Sequence, residues 1–463
     1  MKEKNKFLLK NIGVFTIGSF GSKILSFLLV PLYTAVLSTE EYGTVDLITT
    51  TASLLMPILL LSIFDATLRF GMDESYQKVD VISTSINIAI KGSVILVLGS
   101  IIISVTDFIS ISNLYLLFLC IYFIFGAINQ ILNLYLRAKN QASTIAISGI
   151  LCTLVSCFSN IIFLLVFRLG ITGYMISNTF GILVQNLYQL FIGGVYKDIK
   201  FQNYNDLSKP MIRYSAPLIA NSLSWWINNA SDRYILTFMR GVAENGVYSV
   251  SYKIPTLLSM FQQIFYNAWS ISAIAEFDKN DKDGFIGNNY SMYSFISLLI
   301  CSGLMIINIP LASFLYQGDY FIAWKAVPFL LMGTVFSGIS QFEGSLFAAT
   351  KNTKLVAKST LIGAITNTVL NFILIYYIGF IGASLATLLG YFITWMLRTK
   401  YLRNFIQMKV NWQVHLFSLL LTFIQSILAT VGVKLYLQIL IFIFLIVINH
   451  KCFNPIFKYL LRK

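Results

Sequence analysis

The chain has 463 residues, of which 57% are apolar and only 11% are charged, whereas soluble domains carry about 25% charged residues. Its mean hydropathy is +0.76. Apolar runs long enough to cross a bilayer follow one another from end to end, so the sequence predicts an all-α polytopic membrane protein with no separate soluble domain. The net charge of +14 lies mainly between these runs, which excludes nucleic acid as the expected partner.

The apolar runs predict about fourteen transmembrane helices. We expect them at residues 12–37, 44–66, 81–106, 112–136, 144–167, 171–195, 212–239, 247–274, 289–316, 326–349, 355–377, 380–397, 413–431 and 435–450. The first run follows a basic N-terminus, but it is too long for the apolar region of a signal peptide, so we interpret it as a retained span.

The lysines and arginines predict the orientation. If the N-terminus is cytoplasmic, 25 of the 33 basic residues fall in inner connections and four in outer ones. Basic residues favour the cytoplasmic side. We therefore expect both termini in the cytoplasm.

Glycines repeat at a constant interval in the two halves of the chain. Gly170, Gly173 and Gly181 correspond to Gly379, Gly382 and Gly390 at an offset of 209 residues. Because six spans preserve orientation, spans 1–6 and 7–12 are predicted to form two parallel six-helix lobes. We expect an N-lobe at 1–196, a cytoplasmic linker at 197–213, a C-lobe at 214–400, and two further helices with a cytoplasmic C-terminus at 401–463.

Basic side chains at membrane depth are the main indication of function, because a charge there costs at least about 2.5–3.5 kcal/mol and normally faces a cavity. The cationic candidates for a substrate site between the lobes are Lys23, Arg69, Lys91, Arg233 and Lys253. Their excess over nearby acids predicts an anionic substrate, and phosphate is a common anion that lysine and arginine bind well. Two alternatives stay open: Arg69 is a solvated partner of Asp65, and Lys253 pairs with Asp232.

Polar and aromatic side chains accompany these cations at helical spacing. The cavity-lining candidates are Ser19, Trp226, Asn229, Gln263 and Asn267. Three acids within or at the ends of spans, Asp65, Asp232 and Glu343, are candidates for coupling transport to a proton or sodium gradient. No other cofactor is expected.

Several chemistries lack their motifs in this sequence. There is no P-loop motif for ATP and no paired-carboxylate constellation for catalysis. The five cysteines form no CxxC, and there are only two histidines, so we expect no catalytic residue, disulfide framework or metal site. A transporter is therefore favoured over an enzyme.

The stretch 217–269 resembles the polysaccharide transporter family, the Wzx-type flippases of the MOP exporter superfamily. The residues that carry the resemblance are Pro217, Trp226, Ser231-Asp232-Arg233, Gly241, Gly246-Val-Tyr248, Lys253-Ile-Pro255 and Ala268-Trp269, together with the turns Ile378–Ser384 and Glu41-Tyr-Gly43. The resemblance implies a MATE-like core of two six-helix lobes.

It also implies alternating access that moves an undecaprenyl-pyrophosphate-linked oligosaccharide, for O-antigen, lipopolysaccharide or capsule, across the bacterial inner membrane. Lys23, Arg233 and Lys253 match the family's pyrophosphate-binding role by position. The expected partners are this lipid-linked substrate, membrane lipids, and the polysaccharide polymerase and chain-length proteins. The alternatives are a lipid II flippase, a cation-coupled multidrug antiporter, and a membrane polysaccharide polymerase.

Overall fold

The computed structural model describes residues 21–106, 111–200, 205–275, 277–350 and 352–450. Within these ranges every regular element is helical, which confirms the all-α expectation. The described residues group into two compact units, one within Met1–Leu37 and Thr44–Ala230 and the other within Ser38–Gly43 and Ser231–Lys463. The boundary between the units falls inside a helix, after Ala230. The lobe boundaries expected from the sequence, 1–196 and 214–400, stay a prediction.

In its described residues the first unit contains eight helices, of which α2 begins in the second unit, and the start of a ninth. They are α1 (Gly21–Val36), α2 (Thr39–Leu59), α3 (Ile63–Gly71), α4 (Lys78–Thr106), α5 (Asn113–Ala138), α6 (Ala142–Ile161), α7 (Gly170–Phe191), α8 (Asn205–Ser215) and α9 (Leu218–Arg240). A π-helical turn, Ile162–Val166, continues α6, and a short 3₁₀ turn, Val195–Lys197, follows α7.

In its described residues the second unit contains the start of α2, the end of α9 and eight further helices. They are α10 (Val242–Ser251), α11 (Lys253–Ala275), α12 (Phe285–Ile306), α13 (Asn308–Leu315), α14 (Val327–Ala349), α15 (Thr353–Leu402), α16 (Trp412–Val431) and α17 (Leu435–Ile448). A 3₁₀ segment, Gly318–Lys325, precedes α14 and is bent by 51° from it.

Seven of the described helices are long and apolar enough to cross a membrane, or eight if the bent pair counts as one span. One of the seven is most of α15, whose 50 residues would be roughly 75 Å long, over twice the hydrocarbon core. Non-helical dihedrals at Ile378 and Gly379 interrupt it, where the sequence places the end of one span and the start of the next. The count of fourteen stays a prediction.

Several predicted spans are broken helices. The predicted span 44–66 ends as a helix at Leu59, because Leu61 and Ser62 adopt positive φ angles of 53° and 49° before α3 begins. The predicted span 247–274 is divided at Tyr252, between α10 and α11. Pro57 lies just before the first break and Pro255 just after the second, and proline removes the backbone hydrogen bond that a continuous helix needs.

The core of the first unit is apolar and includes part of the predicted linker. Ile63 on α3, Ile82 on α4 and Phe123 on α5 are fully buried in this core, and so is Met211 on α8. The segment before α8 is also fixed, since Asp198 accepts bonds of 2.8 Å from both Tyr135 and Lys139. The described parts of this stretch, residues 197–200 and 205–213, therefore pack against the first unit.

Two glycines of the second unit make a close backbone crossing. A Cβ atom on Gly43 would lie 2.9 Å from the backbone nitrogen of Gly246, and a Cβ on Gly246 would lie 3.1 Å from that of Gly43. Asn245 also donates to the Gly43 carbonyl at 3.3 Å. Small residues allow membrane helices to approach this closely, which explains the glycines that end the similar sequences Glu41-Tyr-Gly43 and Glu244-Asn-Gly246.

The repeated glycines share a backbone conformation. Gly170 and Gly379 have positive φ angles of 54° and 56°, a region that glycine adopts without steric cost. Each lies where a new helix begins after an apolar helix. This agreement is what an internal repeat predicts.

Candidate functional site

The end of α9 buries an acid beside a base. Asp232 is 3% exposed, and its carboxylate accepts hydrogen bonds on both oxygens. Tyr248 donates to it through a short bond, and Tyr252 and Thr387 donate at 3.3 Å and 3.4 Å, while the backbone N–H of Arg233 donates at 3.0 Å. Neutral donors from α10 and α15 thus satisfy this acid.

The oxygen-rich surroundings of Asp232 extend along α15. Asn367 donates to the Thr387 hydroxyl at 3.4 Å, and Asn371 donates to the side-chain oxygen of Asn367 at 3.1 Å. Asn371 is fully buried, and its own side-chain oxygen has no hydrogen-bond partner among the described residues. Carboxylate, hydroxyl and amide oxygens are the ligands that hard cations prefer.

Arg233 and Lys253 are the two basic residues near this cluster. The Arg233 guanidinium lies 5.7 Å from the ring centroid of Tyr252, which is cation–π range. Lys253 begins α11 and is half-buried. Across the described ranges, Asp232 and Lys253 form no ion pair with each other, so the pairing considered from the sequence is not present.

Two polar side chains of α11 are accessible. Gln263 and Asn267 are exposed, and Gln263 donates to Asn267 at 3.0 Å. Membrane-depth amides normally turn toward protein or water, because hydrocarbon offers them no partners. These two side chains therefore present donors and acceptors that remain available to a polar ligand.

The polar and aromatic candidates before Asp232 are described in part. The Trp226 indole N–H donates to the Thr50 carbonyl at 3.1 Å and thereby ties α9 to α2 within the first unit. Asn229 lies in α9, but its side chain is outside what the structure describes, and Ser19 is outside the described residues altogether.

Lys23 and Lys91 are both exposed but have different neighbours. Lys23 lies on α1, one turn before the exposed hydroxyl of Ser26. Lys91 lies in the middle of α4, where Val94, Ile95 and Leu98 are also exposed. Apolar neighbours of this kind favour a lipid-facing surface for Lys91.

Arg69 forms a surface ion pair, but not with the acid suggested by its sequence spacing. Its guanidinium lies 3.4 Å from Asp73, while Asp65 is half-buried one turn earlier on α3. Hydrogen bonds from the Ser75 hydroxyl and N–H lower the pKa of Asp73 below its ordinary value, and Arg69 adds to this effect. Both side chains of the pair are accessible, so the pair is solvated.

Glu343 on α14 is fully buried in the second unit. Thr399 on α15 donates to one carboxylate oxygen, Oε1, at 2.6 Å, and Tyr290 on α12 donates to the same oxygen at 3.3 Å. The other oxygen, Oε2, has no hydrogen-bond partner among the described residues. The sequence indicated the acid but none of these partners.

Arg398 lies next to Glu343 in space and is itself buried. Its guanidinium donates to the Ser340 carbonyl at 2.5 Å and to the hydroxyls of Ser359 and Thr360 at 3.1 Å and 2.8 Å. By its place just after an apolar run, Arg398 is assigned to a connection from the sequence, whereas the structure buries it within α15, which continues to Leu402. No charge pattern in the sequence distinguishes it from the exposed basic residues that follow.

Comparisons with known proteins give a consistent result. Residues 8–270, more than half of the chain, match the family model described as "Polysaccharide biosynthesis protein". An uncharacterized membrane protein of Methanocaldococcus jannaschii is 26% identical over 50% of this chain and 57% of that protein. A probable low-salt glycan biosynthesis flippase of Haloferax volcanii is 21% identical over 44% of each chain. The matched part of the chain thus spans about half the length of these curated relatives.

Two solved structures share the fold over most of the chain. The lipid II flippase MurJ in an inward closed conformation matches with a TM-score of 0.70 at 19% identity, covering 95% of this chain and 98% of MurJ. A multidrug resistance MATE family transporter of the MOP superfamily, inward-facing, matches with a TM-score of 0.65 at 14% identity, covering 82% of this chain and 94% of the transporter. The expected MATE-like fold is confirmed.

Proposed function

The chain belongs to the polysaccharide biosynthesis protein family, and we propose that it is a flippase for an undecaprenyl-pyrophosphate-linked oligosaccharide repeat unit. The substrate moves from the inner to the outer leaflet of the bacterial inner membrane by alternating access. The H. volcanii relative is named a glycan biosynthesis flippase, which supports transport of a lipid-linked glycan over covalent synthesis. The mature glycan is O-antigen, lipopolysaccharide or capsule.

The proposal rests mainly on the surroundings of Lys253 on α11. Lys253 is half-buried and is not neutralised by the nearest sequence candidate, because tyrosine and threonine hydroxyls satisfy Asp232. An uncompensated ammonium at membrane depth is costly unless a substrate or water balances it. A diphosphate would supply the opposite charge, and the exposed amides of Gln263 and Asn267 would bind sugar hydroxyls.

The proposed diphosphate-binding set is Lys23, Arg233 and Lys253. Lys91 is left out because its exposed neighbours are apolar, and Arg69 is left out because Asp73 already pairs with it. Coupling to a proton or sodium gradient belongs to the same proposal, with Asp232 and Glu343 as the buried acids that could exchange an ion. The proposal also includes the polysaccharide polymerase and chain-length proteins as partners. It further includes a cytoplasmic location of both termini.

A direct test follows leaflet transfer in proteoliposomes. Purified protein is reconstituted with a fluorescent undecaprenyl-diphosphate oligosaccharide, and a membrane-impermeant quencher reports how much label crosses to the protected leaflet. We expect transfer with the substrate chemically unchanged. Covalent elongation of the glycan would instead support a polymerase, and no transfer of any lipid-linked saccharide across several glycans would overturn the flippase proposal.

Lipid II is a second candidate substrate, because the MurJ fold covers 95% of this chain. Both substrates carry a polyprenyl diphosphate and differ in the saccharide. Fluorescent lipid II in the same assay distinguishes them. Faster transfer of lipid II than of every oligosaccharide tested would favour this second candidate, and export of a drug in a sensitive host would favour an antiporter.

A further inference from the structure

The environment of Glu343 contains more than the sequence indicated. Four helices meet around it: α14 carries the acid, α12 carries Tyr290, α15 carries Thr399 and Trp395, and α16 carries His415. Glu343 is 0% exposed and His415 is 7% exposed. A buried carboxylate normally has its oxygens hydrogen-bonded, so the orphaned Oε2 of Glu343 needs an explanation.

Tyr290 joins the acid to the imidazole. Its hydroxyl lies 3.3 Å from Glu343 Oε1 and 3.4 Å from His415 Nε2. The indole N–H of Trp395 donates to the same hydroxyl at 3.1 Å. Since an indole only donates and a phenol has a single proton, Tyr290 can give that proton to Glu343 or to His415, but not to both.

His415 lies at the end of this chain of groups that is nearer to solvent. It is in the first turn of α16, and the residue that caps this helix, Asn411, is exposed. The rings of Tyr290 and Trp412 lie 5.2 Å and 5.8 Å from the imidazole. The guanidinium of the exposed Arg403 lies 5.0 Å from the centroid of the Trp412 ring.

Within the described ranges no other charged or titratable group forms an ion pair with the acid, although the charge of Arg398 interacts with it. Arg398 uses its guanidinium on Ser340, Ser359 and Thr360, and across the described ranges it makes no ion pair with Glu343. Tyr266 on α11 lies near Arg398. The lining contributed by α11 beside the acid is aromatic, with Trp269 stacked on Phe342 at 4.0 Å.

We propose that His415, Tyr290 and Glu343 form a proton relay, in which Glu343 is the buried proton-binding site. His415 gives its Nε2 proton to the Tyr290 oxygen while the Tyr290 hydroxyl proton passes to the Glu343 carboxylate. Tyr290 is neutral before and after this step. An imidazolium and a carboxylate become an imidazole and a carboxylic acid, and His415 then takes a new proton from water.

The relay gives a function to α16, one of the two helices that the sequence places after the predicted twelve-span core. α16 packs beside α12 and α14, and it supplies the only imidazole in the described part of this cluster. The inference rests on the proposed function only in assigning the proton to transport. Proton binding itself is a property of the purified protein, and it can be measured without a substrate.

Infrared difference spectroscopy on the full-length protein in nanodiscs tests the site. A drop in pH should produce a carbonyl band of a protonated carboxylic acid in a buried environment. Glu343→Gln should remove this band, whereas Asp319→Asn, which removes an exposed acid of the same unit, should leave it. A band that persists in Glu343→Gln would overturn the assignment of the binding site.

The rate of protonation tests the relay. After a rapid pH drop, Tyr290→Phe and His415→Phe should delay the Glu343 band about 100-fold, because each breaks the positioned proton path. Tyr436→Phe, at an exposed tyrosine, should match the wild type. Wild-type rates in both relay variants would overturn the proposal, and this test applies even if Glu343→Gln fails to fold.

The proteoliposome assay separates this inference from the proposed function. If the protein takes up protons normally but transfers no lipid-linked saccharide, the relay is supported and its role in transport is not. Normal transfer with no Glu343 band would remove the relay alone.

Discussion

Asp232 and Glu343 are buried acids on membrane helices, but neighbouring side chains satisfy them differently. Both oxygens of Asp232 accept hydrogen bonds, whereas Glu343 uses one oxygen and leaves the other unbonded. An unmade hydrogen bond in a buried site costs about 1–3 kcal/mol. Asp232 is therefore held in place by its surroundings, while the Glu343 carboxylate is only partly satisfied.

The Tyr248 hydroxyl is expected to contribute to stability through Asp232. Tyr248→Phe removes one donor and leaves a buried carboxylate less satisfied, so we expect the free energy of unfolding to fall by about 1–3 kcal/mol. Thermal unfolding in detergent measures the change. Tyr436→Phe, the same chemical change at an exposed site, should have no effect, and an equally stable Tyr248→Phe would contradict this role for the bond.

Lys253 is expected to act on the substrate and not on stability. Lys253→Ala should slow transfer of the fluorescent diphosphate lipid by about 10- to 100-fold, since a hydrogen bond to a charged group contributes about 1.5–3 kcal/mol. Lys253→Arg should keep a large part of the activity. Lys91→Ala is the matched control, because Lys91 lies among exposed apolar side chains. Equal losses of transfer rate in Lys253→Ala and Lys91→Ala would show that removing any of these positive charges slows transfer.

Residue types could be predicted from the sequence, but their partners could not. An acid inside an apolar run is visible at once, which is why Asp232 and Glu343 were identified. Their partners depend on tertiary structure: Thr387 is 155 residues from Asp232, and His415 is 125 residues from Tyr290. The hydropathy pattern also gives no sign that Arg398 is buried, because a basic residue at the end of an apolar run resembles part of a connection.

The helices themselves were predicted better than their continuity. Apolar runs located most elements to within a few residues, as with α14 and α16. The breaks were missed because hydropathy measures side-chain transfer and not backbone dihedrals. The turn expected at residues 240–246 is also shorter than predicted, since α9 ends at Arg240, α10 begins at Val242, and Gly241 alone has a non-helical φ of 95°.

The glycine crossing at the start of α10 can be tested by adding one methyl group. Gly246→Ala would place a Cβ against the Thr39 carbonyl, with the carbonyl carbon at 2.8 Å and the Gly43 nitrogen at 3.1 Å. Backbone atoms cannot move aside as a flexible side chain can, so we expect a loss of about 1–3 kcal/mol by thermal unfolding.

Gly149→Ala is the matched control for this crossing. Gly149 also lies within a helix, α6, but a Cβ there meets no atom within 4 Å. Because alanine has a higher helix propensity than glycine, we expect no loss, or a gain of up to about 1 kcal/mol. Similar losses in Gly149→Ala and Gly246→Ala would show that the close approach is not what makes glycine necessary at 246.

At the scale of the whole molecule, the basic residues predict an orientation that the kink in α15 makes testable. Between the exposed residues Gln317 and Asn404 lie α14 and the two parts of α15 on either side of Gly379. If each part crosses the membrane, three passes separate the two residues and they lie on opposite sides. If α15 were a single span, two passes would separate them and they would lie on the same side.

Single cysteines report the side directly in intact cells. In a background without the native cysteines, Gln317→Cys should react with a membrane-impermeant maleimide added outside, and Asn404→Cys should react only after the cells are opened. The predicted positive charge of the inner connections gives this direction. Reaction of both from outside would show that α15 crosses once, and the reverse pattern would place the termini outside. Either result would remove the inner-to-outer direction from the proposed transport.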